Sequence, residues 1–149
     1  MKVKDIMDTS PDLLRVSDTF EHLIKIVDQV KYHVIYVVDN GDKLAGVLTE
    51  SDILKVLIPK YVTIDESLIS VMDENYFEKK CKECKDLTVT EIMTKNLITV
   101  GEDEPIIKAA ALIVVHKIHS LPVVRNGSII GIVPRQILLK HITKVLAER

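Results

Sequence analysis

The chain has 149 residues, of which 47% are hydrophobic and 28% charged, and its net charge is −2. That composition belongs to a folded globular chain and excludes a disordered one, which needs low hydrophobicity and a strong charge excess. The near-neutral balance gives no basis for whole-chain attraction to nucleic acid or to an anionic membrane. With no Trp, two Phe and four Tyr, aromatic rings are too few for a base-stacking platform.

The longest apolar run, residues 109–115, falls far short of the roughly 20 residues needed to cross a bilayer. The first 30 residues hold no apolar block of secretory type, so the expected location is cytoplasmic. Two Cys in such a chain are not a disulfide framework.

In chain order, a pattern occurs twice. Val3-Lys4-Asp5-Ile6-Met7 matches Val89-Thr90-Glu91-Ile92-Met93, and each is followed by a short apolar stretch, 13–16 and 97–100. A helical pattern comes next. In the first copy Phe20, Leu23, Ile24 and Val27 share one face, with Asp18 and Glu21 as the expected N-terminal cap. In the second, Pro105 suits a first helical position, and 106–115 is apolar almost all round, which predicts central core or a subunit contact.

Then come β-rich runs, Val34–Val38 and Ser120–Arg125, and turns at 39–42 and Asn126-Gly127. The Asn-Gly pair tolerates positive φ at both central positions and so signals a hairpin. Returning strands at 44–48 and 129–133 and closing helices at Glu50–Leu57 and Arg135–Ala147 complete each copy. The fold class read from this order is α+β, two βαββα repeats of about 55 residues. Each is too small to bury a good core alone, so the two pack face to face as one pseudo-twofold module. The expected divisions are a first repeat at 1–58, a net-negative, partly helical insertion at 59–87, and a second repeat at 88–149. Within the insertion, 66–72 and 74–82 have helical character.

Thr49-x-x-Asp52 lies where the returning strand gives way to a helix, and it reads two ways. It resembles a capping box. It also offers a carboxylate able to accept two hydroxyls of a ribose, beside a hydroxyl and free N–H groups suited to phosphate. In the second copy Pro134 and Ile137 take the two places, yet that helix is still periodic, which weakens a purely structural account.

With these features in view, the chain resembles a tandem pair of cystathionine-β-synthase-type (CBS) domains, the Bateman module. The Ile-Met openings, Val37-Val38-Asp39 with Leu121-Pro122-Val123-Val124, and the stretch from Gly46 to Leu54 carry the likeness. The resemblance implies a regulatory module, not an enzyme, that forms homodimers and signals to an unidentified protein partner. It also implies an adenosine-containing ligand between the repeats: AMP, ADP or ATP, with S-adenosylmethionine less favoured. The roles it assigns are ribose binding to Asp52 and phosphate to Thr49, with Ser51 as a polar neighbour. Thr94, Leu121 and Pro122 form the adenine-side wall, and His33 sits where a histidine approaches phosphate.

The Arg that often follows that histidine is Val34 here and Ser120 in the second copy. Because Pro134 and Ile137 cannot grip a ribose, one nucleotide site per chain is expected. Tyr36 replaces the family's Pro and is expected to fill the degenerate cleft. A structural dimerisation or adaptor module with vestigial clefts is the alternative.

Cys81-Lys82-Glu83-Cys84 lacks the second ligand pair that tetrahedral zinc requires, so no metal is expected, and the two thiols are read as one face of a charged helix. No Gly-rich phosphate loop, nucleophile elbow or zinc-protease motif is present.

Overall fold

The β-branched run Val34–Val38 becomes the central strand of the first repeat (β2), buried at all five positions. Strand β1 (Leu13–Arg15) lies parallel to it on one side and β3 (Leu44–Thr49) antiparallel on the other, in the order β1-β2-β3. This computed structural model describes residues 1–148; Arg149, the last residue of the second repeat as read from sequence, lies outside the described residues. The second repeat forms a β4 (Ser120–Arg125)–β5 (Ser128–Pro134) hairpin. Each hairpin carries a register irregularity at the same place, between Val37 and Val38 and between Val123 and Val124. Asn126 and Gly127 adopt φ of 52° and 81°, the backbone that the Asn-Gly pair predicts.

The expected strand at 97–100 is reduced to a single parallel bridge, Val100 to Val123. Val100 donates to the Pro122 carbonyl and accepts from Val124, and only that residue is fully drawn into the core.

Helix α1 (Phe20–Ile26) is capped by Thr19, whose Oγ1 accepts the His22 N–H at 3.2 Å. The expected cap, Asp18, instead accepts the Arg15 N–H at 2.7 Å, holding the turn before the helix. Helix α2 (Glu50–Leu57) closes the first repeat, and the insertion follows. It consists of α3 (Lys60–Ile64), which the sequence reading missed, a 3-10 stretch at Glu66–Val71, and α4 (Tyr76–Glu83). Carbonyls of Leu87 and Lys85 accept the Phe20 and Glu21 N–H groups, so the end of the insertion satisfies the free donors of α1. Cys81, in α4, and Cys84, at its C-terminal end, both pack into the first core, where Cys84 is buried.

After the short α5 (Val89–Ile92), α6 (Ile106–His116) and α7 (Arg135–Ala147) cover the second hairpin, with Pro105 and Pro134 as their N-caps. Helix α6 buries Ala109 and Ile113 but exposes Ile107, Val114 and Val115, and α7 exposes Leu139, Ile142, Val145 and Leu146. The all-round apolar helix is therefore not central core. No helix among the described residues is long and apolar enough to cross a membrane.

The two repeats exchange their opening segments. Val3, Ile6 and Met7 pack into the second core, around Val100, Ala109, Leu121 and Val133. Val89, Ile92 and Met93 pack into the first, around Leu14, Leu23 and Val37. Antiparallel bridges Asp8–Ile132 and Val47–Thr94 fix the exchange. The sequence divisions at 1–58 and 88–149 thus mark where the pattern repeats, whereas each core is built by both.

The exchange depends on two glycines. A Cβ on Gly46 would overlap Met93 Sδ, and one on Gly131 would lie 2.8 Å from Met7 Sδ and 3.0 Å from the Asp8 carbonyl. Between the cores, Val34, Tyr36 and Ile132 form a third buried cluster where the sheets meet.

Candidate functional site

The exchanged segment that pairs with β3 brings Thr94 to the start of α2. Asp52, the third residue of that helix, is only 9% exposed. Its Oδ2 accepts the Thr49 N–H at 2.9 Å, closing a capping box, and the Thr49 hydroxyl at 3.1 Å. Its Oδ1 accepts the Thr94 hydroxyl at 3.0 Å. One carboxylate therefore ties the helix of the first repeat to the entry segment of the second. A charged acceptor makes a stronger hydrogen bond than a neutral one.

Two joined cavities open at this point. The inner one, about 210 Å³, is lined by Thr49, Asp52, Thr94, Asn96, Pro122, Tyr36 and Ser120 among others. The outer one, about 420 Å³, is lined by His33, Thr49, Ser51, Glu50, Lys117 and His119. Val47, Thr49, Ile118 and Ser120 belong to both and form the neck.

The residues singled out from sequence are thus distributed along one cleft. Thr49, Asp52, Thr94 and Pro122 line the inner part, and His33, Thr49 and Ser51 the mouth. Leu121 is the exception: its side chain is fully buried in the second core and lines neither cavity, because strand alternation turns it away from Pro122.

The mouth holds one cation, Lys117, one carboxylate, Glu50, and the imidazoles of His33 and His119. His33 and Lys117 both hold left-handed backbone, with φ of 61° and 54°, which brings two non-glycine residues into tight turns at the opening. The His33 ring nitrogen lies 3.8 Å from Glu50 and its side chain is 70% exposed. Lys117 was not anticipated. Its only sequence signal is a cation at the C-terminal end of an apolar helix, which ordinarily reads as a dipole partner.

Tyr36 does not fill the mirror-related cleft. It is 1% exposed, lines the Asp52 cavity, and its hydroxyl donates to Ser120 Oγ at 2.9 Å. Burial pushes the phenol up to about 12. The expectation failed because a side chain on β2 points to one sheet face only, and that face is the Asp52 side.

In the mirror cleft other groups take the corresponding places. Asp8, at the place matching Thr94, accepts from Lys31 Nζ and from the Tyr32 hydroxyl, each at 2.9 Å. These bonds and that of the Ser10 N–H hold the Asp8 carboxyl below its ordinary range, although burial acts the other way and is the largest single influence. Ile137, in place of Asp52, offers no acceptor on that side, where the remaining cavity is about 280 Å³. Among the described residues no cluster of three or more His, Cys, Asp or Glu side chains is placed to hold a metal ion.

Comparison with known proteins agrees with this architecture. The pattern described as the CBS domain matches residues 3–59 and 89–144. A CBS domain-containing protein of Dictyostelium discoideum is 29% identical over 145 residues, covering 97% of this chain and 92% of its own. The CBS domain of a CBS domain-containing membrane protein from Sphaerobacter thermophilus superimposes with a TM-score of 0.71 at 30% identity, covering 94% of this chain and 86% of that one. A CBS domain pair solved in complex with 5′-methylthioadenosine and S-adenosyl-L-methionine matches with a TM-score of 0.71 at 25% identity, covering 97% of each chain.

Proposed function

The chain belongs to the CBS domain family, and from that premise we propose that it is a regulatory module whose Asp52 cleft binds one adenosine-containing ligand, an adenine nucleotide of the AMP, ADP or ATP type. The observation that carries this reading is the buried Asp52 carboxylate at the junction of both repeats, with Oδ1 held, among the described residues, by the Thr94 hydroxyl alone. A ribose diol offers two donors at the spacing a carboxylate accepts. Oδ1 has a second lone pair open to one of them beside the Thr94 bond, so ligand and inter-repeat contact share one acceptor.

Base and ribose occupy the inner cavity, beside Pro122 and Asn96. The 5′ substituent passes the neck at Thr49 into the mouth, where the α2 N–H groups, His33 and Lys117 favour negative charge. The mirror cleft, without a carboxylate at Ile137 and with Asp8 engaged internally, binds none, so the stoichiometry is one per chain. Ligand binding then biases the relative position of the repeats in proportion to its unequal affinity for the two arrangements. That bias is passed to a protein partner. The exposed apolar faces of α6 and α7 form the homodimer contact.

One observation favours the adaptor reading with a vestigial cleft: the capping box already gives Asp52 a structural role. A thermal-shift panel of AMP, ADP, ATP, S-adenosylmethionine and 5′-methylthioadenosine separates the two. At about 100 times its dissociation constant a ligand adds roughly 2.7 kcal/mol. Stabilisation by an adenine nucleotide supports a sensor, and none by any of the five supports the adaptor.

A further inference from the structure

A second surface lies apart from the cleft. Helices α1, α2 and α4 enclose a groove of about 530 Å³ that shares no lining residue with either cleft cavity. Its walls are Phe20, Ile24, Leu54, Leu57 and Phe77, and within them Ile24, Leu54 and Phe77 are 42%, 56% and 54% exposed.

The pseudo-twofold shows what the insertion does here. Leu57 is 5% exposed, while its counterpart Ile142 on α7 is 52% exposed. Leu54 and its counterpart Leu139, one turn earlier, are both open, at 56% and 63%. Helix α4 therefore covers the end of α2 and leaves the rest, converting an open helical face into a groove with walls.

The rim has a definite sign. Lys25, Lys82 and Lys85 border the groove, against the single carboxylate of Glu21. Glu21 lies 3.7 Å from Lys25, and among the described residues Lys82 and Lys85 enter no ion pair. Two uncompensated cations beside an exposed apolar floor call for an occupant with an apolar face and flanking acids. Helices α6 and α7 of a second copy do not meet that description, and the short acidic segment around Ile64 and Ile69 is divided between a five-residue helix and a 3-10 stretch rather than forming one amphipathic helix. The exposed apolar helices α6 and α7 carry Lys108, Arg135, Lys140 and Lys144, and two grooves set against each other bring lysines together around one seam.

We propose that this groove docks an acidic amphipathic helix of a partner protein, laid in by its apolar face with its carboxylates on Lys82 and Lys85. The inference does not rest on the nucleotide site.

The test uses the full chain and a fluorescent peptide of about 18 residues, long enough for helix formation. Leu is placed at i, i+3, i+4 and i+7 and Glu on the flanks; a control carries Lys for Glu. Anisotropy is expected to show saturable binding of the Glu peptide, with the Lys peptide about tenfold weaker or worse. Leu54→Glu is expected to weaken binding at least about tenfold, and the double variant Lys82→Glu with Lys85→Glu to reverse the peptide preference. All three positions are exposed, and unfolding midpoints check that the variants fold; if Leu54→Glu does not, the reversal decides alone. Absence of saturable binding, equal binding of both peptides, or an unreversed preference would overturn the proposal. So would sedimentation showing that Leu54→Glu turns a dimer into a monomer, since the groove would then belong to a second copy.

Discussion

Replacing Asp52 by Ala separates the two functions its carboxylate can serve. In the free protein the change removes three hydrogen bonds, from the Thr49 N–H, the Thr49 hydroxyl and the Thr94 hydroxyl, at 2.9, 3.1 and 3.0 Å. Loss of a helix cap costs about 1 kcal/mol, and releasing the hydroxyl from the other repeat about another. The sum of about 2 kcal/mol lowers the unfolding midpoint by about 6 °C in a chain of this size. In the complex the ribose loses a charged acceptor, about 2 kcal/mol or roughly 30-fold in Kd.

Linkage makes this visible in one assay. At a nucleotide concentration about 100 times the native Kd, the native chain gains about 2.7 kcal/mol, and a variant with 30-fold weaker binding gains only about 0.9 kcal/mol. Differential scanning fluorimetry, with and without nucleotide, reads both effects. Asp52→Asn, which keeps an acceptor for the Thr49 N–H, is expected to recover most of the stability but not the affinity. A full nucleotide-induced shift in Asp52→Ala would refute the reasoning, because the carboxylate would then serve only to cap α2.

Other expectations follow from particular contacts. The Tyr36 phenol, pushed up to about 12, keeps its proton in the folded state after the unfolded chain has lost its own near 10. Its contribution is thus whole below about pH 10 and is lost between about 10 and 12, by about 1.4 kcal/mol per pH unit. Chemical denaturation across that window should show a steeper alkaline decline in the native chain than in Tyr36→Phe. Gly46→Ala drives a methyl group into Met93 at the exchanged segment and should cost about 1–3 kcal/mol in urea unfolding; an unchanged midpoint would mean that the segment does not pack there. Ile142→Glu, on the exposed face of α7, should turn the proposed dimer into a monomer in sedimentation velocity while leaving the unfolding stability within about 0.5 kcal/mol; an unchanged sedimentation coefficient would mean that this face is not a subunit contact.

Local chemistry carried much of this fold in the sequence. The closing helices begin after Thr49 and Pro134, residues that set a helix start by their own backbone preferences, and the Asn126-Gly127 turn joins two runs of β-branched residues. The order of elements in both repeats could be read for the same reason. What could not be read is decided across long sequence separations. The exchange of Val3 and Val89 between cores has no local signature, and neither does the reduction of the stretch at 97–100 to one residue bridged to Val123 of β4.

The cap at Thr19 rather than Asp18 is a choice between two competent neighbours that the surrounding turn settles. In the cleft, strand alternation placed Pro122 on the cavity and Leu121 in the core, and a pairing with Ser120, 84 positions away, directed Tyr36 to the Asp52 side. Lys117 reached the mouth through a left-handed residue that ends α6, a conformation that nothing in its type announces.

The central claim is that a single adenosine-containing ligand lodges between the repeats at Asp52. Isothermal titration of the full chain with the nucleotide that gives the largest thermal shift tests it most directly. The account predicts a stoichiometry of one per chain, abolished or weakened at least about tenfold by Asp52→Ala. Two equivalent sites per chain, or binding that Asp52→Ala leaves intact, would contradict it.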